Sequence, residues 1–329
     1  MALYSRKQYI MKDGPILSIC IPTFNRAGYL KECLLSLLAS AKENIDQLEI
    51  IVNDNASTDE TALIVRDFQK VYPLIKYFCN SENIGANQNS IKVAQMGTGK
   101  YIWVFGDDDK VTIDAIPKVL ERIKLGYNLI ICNFSINSID FSQQLKRSYY
   151  STKNKEHINN HNDLLVEYHS TLGYISEVVM HNSIINILSQ GDFKHYVDYG
   201  FPLLHTIYVG VSAHCNAAFI PESIVMNRSD NYSNFNWRDY FVKYPVLIFT
   251  DLKKYSYSPS SIRAAKNNAI FRNVLPHIAY QKINGQARGD IYRALWSYYK
   301  DCWVFWLICL PISILPSFAL RTIRAINKG

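Results

Sequence analysis

The 329-residue sequence lacks the short motifs that identify several nucleotide-binding and metal-binding classes. The loop after its first apolar run has no Gly-x-Gly-x-x-Gly, and no Gly-x-x-x-x-Gly-Lys-Ser/Thr occurs in the chain, which excludes phosphate binding by a dinucleotide fingerprint or a P-loop. None of the seven cysteines forms a Cys-x-x-Cys pair, and most lie inside apolar runs. That pattern is typical of reduced core thiols rather than of a disulfide framework or a zinc site.

The chain also lacks a long basic run and an apolar segment at its N-terminus. Its net charge of +7 is not concentrated in any Lys/Arg run, so nucleic-acid binding is not expected. Without the apolar run of a signal peptide, export is not expected either, and the sequence favours a cytoplasmic protein. Hydrophobic residues make up 48% of the chain, which is enough for the core of one large domain or of a domain with an appendage.

Short apolar runs alternate with helical patterns over the first part of the chain. The runs predict strands at residues 17–22, 48–53, 75–79, 101–105 and 129–133. Apolar residues at helical spacing, with a capping box from Ser57 to Glu60, predict helices at residues 27–40, 57–71, 87–96 and 112–125. Such alternation with short connections predicts an α/β fold, in which a mainly parallel, Rossmann-like sheet is covered by helices on both faces.

The pattern changes in the second half of the chain. The polar segment after Ser135 predicts a long loop that ends near Asn162. Later elements are predicted as a strand, a helix and a short strand at residues 174–180, 201–211 and 217–220. From Trp237 onward the pattern is mostly helical. We therefore expect three regions, residues 1–135, 136–236 and 237–329.

The most distinctive stretch is 101–109, an apolar strand that ends in three consecutive carboxylates. Asp107, Asp108 and Asp109 would repel one another unless a cation offset them, and carboxylate oxygens suit hard divalent ions such as Mg²⁺ or Mn²⁺. In open α/β sheets, ligands bind at the carboxyl ends of the strands, which is where these aspartates lie. The alternative is a solvated acidic turn that caps the helix beginning near Thr112.

Polar loops also follow the first three predicted strands, at residues 22–26, 53–59 and 80–87. Because the carboxyl ends of parallel strands meet at one edge, these loops and the aspartates would form a single crevice. A nucleoside diphosphate fits it: Asp54 can accept from a base N–H, and Thr23 and Arg26 can meet ribose or phosphate. Taken singly, each loop also allows ordinary turn and cap chemistry, at Asn25, Ser57, Asp59 and Gly85.

Four motifs occur in a fixed order: Ile-Pro-Thr-Phe-Asn-Arg, Asn-Asp-Asn-Ala-Ser-Thr-Asp-Glu-Thr, Asn-Ile-Gly-Ala-Asn and Gly-Asp-Asp-Asp, all within residues 15–135. This set resembles the motifs of the family 2 glycosyltransferases. The remainder of the chain resembles bacterial O-antigen and capsule transferases of the abequosyltransferase type. The resemblance implies a glycosyltransferase A fold and an inverting, metal-dependent transfer from a nucleotide-sugar donor. It assigns donor binding to residues 1–135 and acceptor binding to residues 136–236.

The resemblance also implies which residues bind the donor and the metal. The donor residues would be Pro22, Thr23, Asn25, Arg26, Asp54, Asn55, Ser57, Asn83, Gly85 and Asp107. Mg²⁺ or Mn²⁺ would be held by Asp107, Asp108 and Asp109, with Asp108 as the first choice. Many relatives have an additional acidic residue where this chain has Gly106. That departure leaves open which of the carboxylates contact the metal directly.

Inversion needs a general base that takes the proton of the acceptor hydroxyl as it attacks. The family usually supplies it from an acidic pair well after the metal motif, and that pair is not evident here. Asp198 and His205 fall in the matching region, and Glu177 lies on the strand before it. Histidine is a competent base near neutral pH, but a lone histidine on a helix is more often a packing residue.

The uncharged stretch 302–320 is interrupted by Pro311 and Pro316 and is followed by basic residues. It has about the length that a spanning helix needs, roughly 20 residues, but the prolines favour a broken helix that lies in the membrane interface. The alternative is a buried C-terminal helix. Membrane contact would place the enzyme peripherally on the cytoplasmic face of the inner membrane, beside a lipid-linked saccharide acceptor.

Two other functions compete with sugar transfer. A catalytically inactive relative could serve as a scaffold of the glycan assembly machinery, and the unclear base leaves this open. A nucleotidyltransferase also uses an α/β fold, carboxylates and Mg²⁺, but it normally has a Gly-rich, basic loop after the first strand, unlike residues 22–26. Processive synthases of the family carry Gln-x-x-Arg-Trp, which is absent here, so transfer of a single sugar is the better interpretation.

Overall fold

The computed structural model describes residues 14–189, 200–229, 239–276, 278–279 and 290–316. The strands of its sheet are β1 Leu17–Thr23, β2 Leu48–Asp54, β3 Ile75–Cys79, β4 Tyr101–Val104, β5 Lys110–Val111, β6 Leu129–Asn137, β7 Gln144–Lys146, β8 His157–Ile158, β9 Val178–His181 and β10 Ala217–Arg228. The α-helices are Ala27–Ala41, Thr61–Val71, Ala86–Met96, Ala115–Lys124, His161–Tyr168, Asn182–Ile185, Pro202–Ser212, Tyr244–Asp251, Pro259–Ala269, Asp290–Tyr299 and Leu310–Ile314.

The ten strands form one sheet in the order β3-β2-β1-β4-β9-β6-β10-β5, with β7 and β8 pairing with β6 and β10. Strands β1 to β4 run parallel to one another, and β9 runs antiparallel to both β4 and β6. Because two reversals restore the direction, β6 and β10 run the same way as β4. The carboxyl ends of β1, β2, β4, β6 and β10 therefore lie on one edge of the sheet, which we call the carboxyl edge.

The central strands are buried because helices cover both faces of the sheet. Every residue of β2 and of β4 is buried, which is the burial expected of parallel strands without a solvent-facing side. Trp103 lies at the centre of this core and is fully buried, and its indole N–H donates to the Ser176 carbonyl at 2.8 Å. A buried indole with its one donor satisfied fixes β4 against the segment that precedes β9.

Two hydrophobic cores are present among the described residues. The larger contains buried side chains from Leu17 to Ala269 and underlies the whole sheet. The smaller joins Val242 and Val246 to residues of the last helical segments, up to Cys309. The division of the chain at residues 135 and 236 stays a prediction, since the larger core includes residues on both sides of each boundary.

The second helix starts later than its sequence predicts. It begins at Thr61, and the side chain of Asp59 accepts from the Thr61 N–H at 3.0 Å and from the Thr61 hydroxyl at 2.5 Å. Ser57, the expected cap, instead accepts from the Asn25 N–H at 2.8 Å. The prediction of a capping box is therefore wrong. The Ser57 hydroxyl bonds the loop after β1, and the Asp59 side chain accepts from the first N–H of the helix.

The segment predicted as a long polar loop contains regular structure. Strand β6 extends to Asn137, β7 and β8 follow it, and a helix begins at His161 with Asn160 as its N-cap. The predicted strand at 174–180 is also shorter than expected, since a 3₁₀ turn over Ile175–Glu177 precedes β9. Conversely, β10 continues past Pro221 to Arg228, with a register irregularity between Ile220 and Val225. A bulge of this kind accommodates proline within a strand.

The seven cysteines are all free, and six of them are buried. Burial is the largest cause that raises the pKa of Cys20, Cys33 and Cys132 above the ordinary value of a thiol. These residues therefore behave as neutral core side chains, as their positions in apolar runs predict.

The predicted membrane segment is described as far as Pro316. Residues 303–314 are helical, with a π-helical turn over Phe305–Cys309 and Pro311 in the first turn that follows. Within the described ranges, no helix combines the length and the apolar character that crossing a bilayer requires. Residues 317–320 of the predicted segment lie outside the described residues.

Glu49 is a buried carboxylate at the base of the parallel sheet. It accepts from the Ser18 hydroxyl at 2.5 Å, from Lys76 Nζ at 2.6 Å, and from the N–H and hydroxyl of Thr98 at 2.6 and 2.8 Å. Burial alone would raise the pKa of Glu49, but these hydrogen bonds outweigh it and hold the pKa below 4.5. One side chain thus joins β1, β2, β3 and the turn before β4.

We expect Glu49→Gln to lower the free energy of unfolding by about 1–3 kcal/mol at neutral pH, because the amide loses charge-assisted hydrogen bonds in a buried site. A carboxylate whose pKa is depressed in the folded state stabilises the fold above its unfolded value of 4.5. The difference between the two proteins should therefore shrink as the pH falls below 4.5. Urea denaturation of both proteins across this range, with the exposed Glu43→Gln as control, measures it; a difference independent of pH would contradict the assignment.

Candidate active site

The three aspartates follow β4 directly at the carboxyl edge, but their side chains do not point to one centre. Asp107 and Asp108 both bond Arg26, whose Nη1 lies 3.0 Å from Asp107 Oδ1 and 3.2 Å from Asp108 Oδ2. The other oxygen of Asp107 accepts from the Thr23 hydroxyl at 2.7 Å. The loop after β1 and the loop after β4 are thus joined by a cation and a hydroxyl from the Pro22–Arg26 motif.

Electrostatic balance at Asp107 depends on this arginine. The side chain is 4% exposed, and burial together with the Asp108 carboxylate raises the pKa of Asp107 to about 6, against the opposing effect of Arg26 and Thr23. In turn, Asp107 and Asp108 raise the pKa of the Arg26 guanidinium, despite the opposing effect of its own burial. The Asp107 carboxylate therefore depends on a neighbouring cation to keep its charge.

Asp109 lies on the other side of the loop and is held by the protein itself. Its Oδ2 accepts from the Ser176 hydroxyl at 2.6 Å, and its Oδ1 accepts from the Asn227 amide and the Arg228 N–H, each at 3.3 Å. Burial and the Asp108 carboxylate raise the pKa of Asp109 to about 7. Its donors come from Ser176, Asn227 and Arg228 rather than from Arg26, so the Asp109 side chain lies apart from the position that Asp107 and Asp108 share.

A metal site at this edge would therefore rest on two carboxylates. Among the described residues, no three His, Cys, Asp or Glu side chains are arranged to hold a metal ion together. Asp107 and Asp108 nonetheless both face Arg26 Nη1, so their carboxylates share one position at this edge, which the guanidinium occupies. Two hard oxygen ligands completed by phosphate and water are a donor set that suits Mg²⁺ or Mn²⁺.

Gly106 explains why no further acidic side chain precedes the three aspartates. A Cβ atom at this position would lie 2.9 Å from Asp109 Oδ2, 3.1 Å from Asp108 Oδ1 and 3.2 Å from Ser176 Oγ. The Gly106 N–H also donates to the Ser176 hydroxyl at 2.8 Å. We call residues 106–109 the acidic loop. Its tight packing against Ser176 therefore depends on the absence of a side chain at residue 106.

The loops after β1 and β2 are joined by reciprocal hydrogen bonds. The Asn25 N–H donates to the Ser57 hydroxyl, and the Asn25 side-chain oxygen accepts from the Thr58 N–H, each at 2.8 Å. Asn25 has a φ of +51°, a left-handed conformation that asparagine tolerates better than most residues. Asn25 and Ser57 thus shape the crevice, while Pro22 is the one residue of β1 that is only half-buried.

Asp54 is buried at the end of β2 and already has two donors. Its Oδ1 accepts from the Ser57 N–H at 2.8 Å, and its Oδ2 accepts from the Tyr77 hydroxyl at 2.6 Å. Burial, with a contribution from Asp54, raises the pKa of that tyrosine above its ordinary value. Each carboxylate oxygen has a second lone pair, and Asp54 is 1% exposed, so its contact with a base N–H stays a prediction.

A cluster of asparagines supports the loop after β3, and most of it escaped the sequence analysis. Asn55 accepts from the Asn80 amide at 2.9 Å and donates to Asn83 at 2.8 Å, and Asn83 accepts from the Gly85 N–H at 2.9 Å. Deeper in the protein, Asn89 accepts from the Asn53 amide at 2.6 Å. Gly85 has a φ of +86°, which favours glycine. The predicted residues Asn55, Asn83 and Gly85 are therefore brought together.

The candidate bases are dispersed. His205 is buried and its Nε2 lies 2.9 Å from Asp251 Oδ2, a buried ion pair within the helical part of the protein. Glu177 is completely buried; burial raises the pKa of Glu177 well above its ordinary value, and its Oε2 accepts from the Tyr150 hydroxyl at 3.0 Å. Asp198 lies outside the described residues. None of these contacts joins His205 or Glu177 to the acidic loop.

Arg228 at the end of β10 is a residue of the site that sequence reasoning missed. It is 3% exposed, its Nε donates to the Asp108 carbonyl at 2.9 Å, and its Nη2 donates to Glu32 at 2.9 Å. Its guanidinium also lies 4.3 Å and 4.4 Å from the ring centres of Tyr29 and Phe141. Its only sequence signal is a basic residue at the end of an apolar run, which is too common to identify it.

Known proteins match the chain in sequence and in fold. A model of glycosyl transferase family 2 matches residues 18–180. Abequosyltransferase RfbV of Salmonella typhimurium is 32% identical over 151 residues, which cover 45% of each chain. A Campylobacter jejuni protein, GalNAc(5)-diNAcBac-PP-undecaprenol beta-1,3-glucosyltransferase, is 32% identical over 120 residues, which cover 36% of this chain and 38% of that one. The matches thus span less than half of the length of these relatives.

Solved structures extend the likeness over most of the chain. S. aureus TarS 1-349 in complex with UDP-GlcNAc aligns with a TM-score of 0.61 and 12% identity, covering 87% of this chain and 80% of that one. Mannosyltransferase PcManGT from Pyrobaculum calidifontis, in complex with GDP-Man and Mn²⁺, aligns with a TM-score of 0.56 and 14% identity, covering 97% and 89%. At such identities the likeness establishes the fold.

The curled, mostly parallel sheet with its acidic carboxyl edge is therefore the α/β glycosyltransferase A fold. Within that class, residues 18–180 are a family 2 glycosyltransferase domain, and its similarity to the abequosyltransferase confirms the resemblance to transferases of the O-antigen type.

Gly106→Ala tests the packing of the acidic loop. We expect overpacking against Asp109 and Ser176 to lower the free energy of unfolding by about 1–3 kcal/mol. Gly28→Ala is the matched control, because no atom lies within 4 Å of a Cβ there and alanine favours the helix Ala27–Ala41. Denaturation in urea compares the two variants. A Gly106→Ala protein as stable as the wild type would contradict the close contact.

Proposed function

We propose that the protein is an inverting, metal-dependent glycosyltransferase that moves a single sugar from a nucleotide-sugar donor to a lipid-linked saccharide. The observation that carries the proposal is the pair of carboxylates at the carboxyl edge, Asp107 and Asp108, which converge on Arg26 beside the loops that follow β1 and β2. The family 2 domain supports sugar transfer as the reaction.

The donor is a nucleoside diphosphate sugar held across the first three loops. Asp54 accepts from the base, Arg26 and Thr23 lie next to the ribose and diphosphate, and Asn83 and Gly85 close the far end of the crevice. The structural neighbours TarS and PcManGT are described in complex with UDP-GlcNAc and with GDP-Man and Mn²⁺, which supports a donor of this class.

Asp107 and Asp108 would hold the divalent cation, Mg²⁺ or Mn²⁺. When bound, such an ion neutralises the charge that develops on the leaving diphosphate. Arg26 then contributes a second positive charge from the loop after β1, and Thr23 keeps Asp107 oriented. Asp109 fixes the backbone of the loop through Ser176 and Arg228, so that the two ligands keep their positions.

Asp198 is the general base of this proposal. Glu177 is excluded from solvent inside a cluster of tyrosines and is kept neutral by burial, and His205 is committed to Asp251. Asp198 is chosen because it is a carboxylate in the region where the family usually supplies its base. It would accept the proton of the acceptor hydroxyl while that oxygen attacks the anomeric carbon from the face opposite the diphosphate.

The acceptor is a lipid-linked saccharide of bacterial surface polysaccharide synthesis, O-antigen or capsule, and the enzyme associates peripherally with the cytoplasmic face of the inner membrane. The names of the two relatives support this class of acceptor, since one is an abequosyltransferase and the other acts on GalNAc(5)-diNAcBac-PP-undecaprenol.

Donor binding is tested by calorimetric titration with UDP, CDP, GDP and dTDP, with and without Mn²⁺. We expect one diphosphate to bind in a metal-dependent manner, and Asp108→Asn to weaken that binding at least about tenfold, because the variant loses one charged ligand of the metal. Asp67→Asn removes an exposed carboxylate on the helix Thr61–Val71 and serves as the control. Absence of binding by all four diphosphates to folded protein would favour the inactive scaffold instead.

The assignment of the base is tested separately. We expect Asp198→Asn to lower kcat about 10²- to 10⁴-fold while donor affinity is retained, because only proton removal is lost. His205→Gln should instead lower stability, since it removes one partner of a buried ion pair and leaves Asp251 without it. Steady-state transfer and thermal unfolding measure the two effects. Full turnover by Asp198→Asn, or loss of turnover by a stable His205→Gln, would reverse the assignment.

A further inference from the structure

A surface beside the carboxyl edge combines exposed aromatic residues with basic ones. It is built from Lys146 on β7, Phe271 and Arg272 on the turn that follows the helix Pro259–Ala269, and Trp303 with Leu307 on the last helical segment. Phe271 is 41% exposed, Trp303 54% and Leu307 70%. We call these five residues the aromatic-basic face.

The face is continuous although its residues come from three distant segments. The Arg272 guanidinium lies close enough to Lys146 to contribute, after burial, to the lowered pKa of that ammonium. Phe271 is the neighbour of Arg272 in sequence, and its ring centre lies 6.1 Å from that of Trp303 in an edge arrangement. Leu307 follows one helical turn after Trp303. Basic and aromatic groups therefore adjoin one another across the fold.

The two cations of the face have no acidic partner among the residues that the structure describes. Within the described parts of the chain, no carboxylate lies within 4.0 Å of Lys146 or Arg272, whereas Lys110 and Lys118 each form a salt bridge. Lys146 Nζ instead donates to the Tyr149 carbonyl at 3.2 Å and lies 4.6 Å from the centre of the Tyr149 ring. Two adjacent like charges without a counter-ion favour an anion from outside the protein.

The face begins close to the acidic loop. Lys146 pairs with Ile136 in the register of β6 and β7, and the next residue of β6, Asn137, pairs with Arg228 of β10. The Arg228 N–H donates to Asp109. Strand β6 therefore lies between Lys146 and Arg228, the residue that holds the acidic loop. A molecule bound at the face would lie close to the site.

We propose that the aromatic-basic face docks on the headgroup layer of an anionic bilayer, with the carboxyl edge turned toward the lipid. The inference rests on the proposed function, for which it supplies the route of a lipid-linked acceptor to Asp107 and Asp108. Tryptophan favours the interface between headgroups and acyl chains, and adjacent basic residues favour anionic lipid. A second copy of the chain fits less well, because a two-fold contact would place the basic groups of both copies together.

Vesicle flotation of the full-length protein tests the face. Vesicles of phosphatidylcholine alone are compared with vesicles that also contain phosphatidylglycerol. We expect binding to the anionic vesicles only. Lys146→Gln with Arg272→Gln should weaken it on the order of 20-fold, because each basic residue at a membrane surface contributes about fivefold. Phe271→Ser with Trp303→Ser should weaken it at least tenfold, because the aromatic anchors are lost.

The matched control is Lys124→Gln with Leu125→Ser, an equivalent change at the exposed end of the helix Ala115–Lys124, on the edge where β6 begins. It should bind as the wild type does. Wild-type protein that ignores anionic vesicles, or binding undiminished in both face variants, would overturn the proposal. Circular dichroism on the same samples checks that each variant is folded, and nucleotide titration tests the proposed function separately from the face. If the variants bind vesicles as expected but the protein binds no nucleoside diphosphate, the proposed function is refuted and the aromatic-basic face is retained.

Discussion

The repulsion among three consecutive carboxylates at the end of a buried strand is the constraint on which the rest of the structure depends. Asp107, Asp108 and Asp109 cannot remain charged in a water-poor position unless positive charge and donors surround them. The fold meets this need from both halves of the chain, with Arg26 from the loop after β1 and with Ser176 and the Arg228 backbone from the second half. The acidic loop is therefore a junction of the domain as well as its chemical centre.

The supporting contacts divide the three carboxylates by role. Arg26 contacts Asp107 and Asp108, whereas Asp109 is held by Ser176, Asn227 and the Arg228 backbone from the second half of the chain. Gly106 permits this division, because a side chain there would press against the enclosed carboxylate. Three identical residues in a row thus have two different environments. The tertiary contacts create this difference, and the amino-acid sequence of the run does not reveal it.

The elements of the first half could be predicted because their signals are local. The apolar run Leu17–Thr23 and the helical spacing in Ala27–Ala41 can each be read from residues close together in the sequence. The loop motifs identify the crevice in the same way. In the second half, the helix Pro202–Ser212 and the start of β10 agree with the prediction. Its short strands and 3₁₀ turns could not be predicted, since they depend on partners far along the chain. The supporting residues Arg228 and Asn89 escaped for the same reason: an arginine or an asparagine gains its role only from what it meets.

Arg228 also carries a consequence for engineering. Its partner Glu32 simultaneously bonds Lys110 at 2.7 Å, so one carboxylate on the helix Ala27–Ala41 balances cations from β5 and from β10. Residues 1–135 and the second half of the chain therefore share one cluster of charges, in which Glu32 pairs with both Lys110 and Arg228. A chimera that combines residues 1–135 with the second half of a relative keeps the Glu32–Lys110 pair but loses the contact between Glu32 and Arg228, unless the relative also has an arginine at that position.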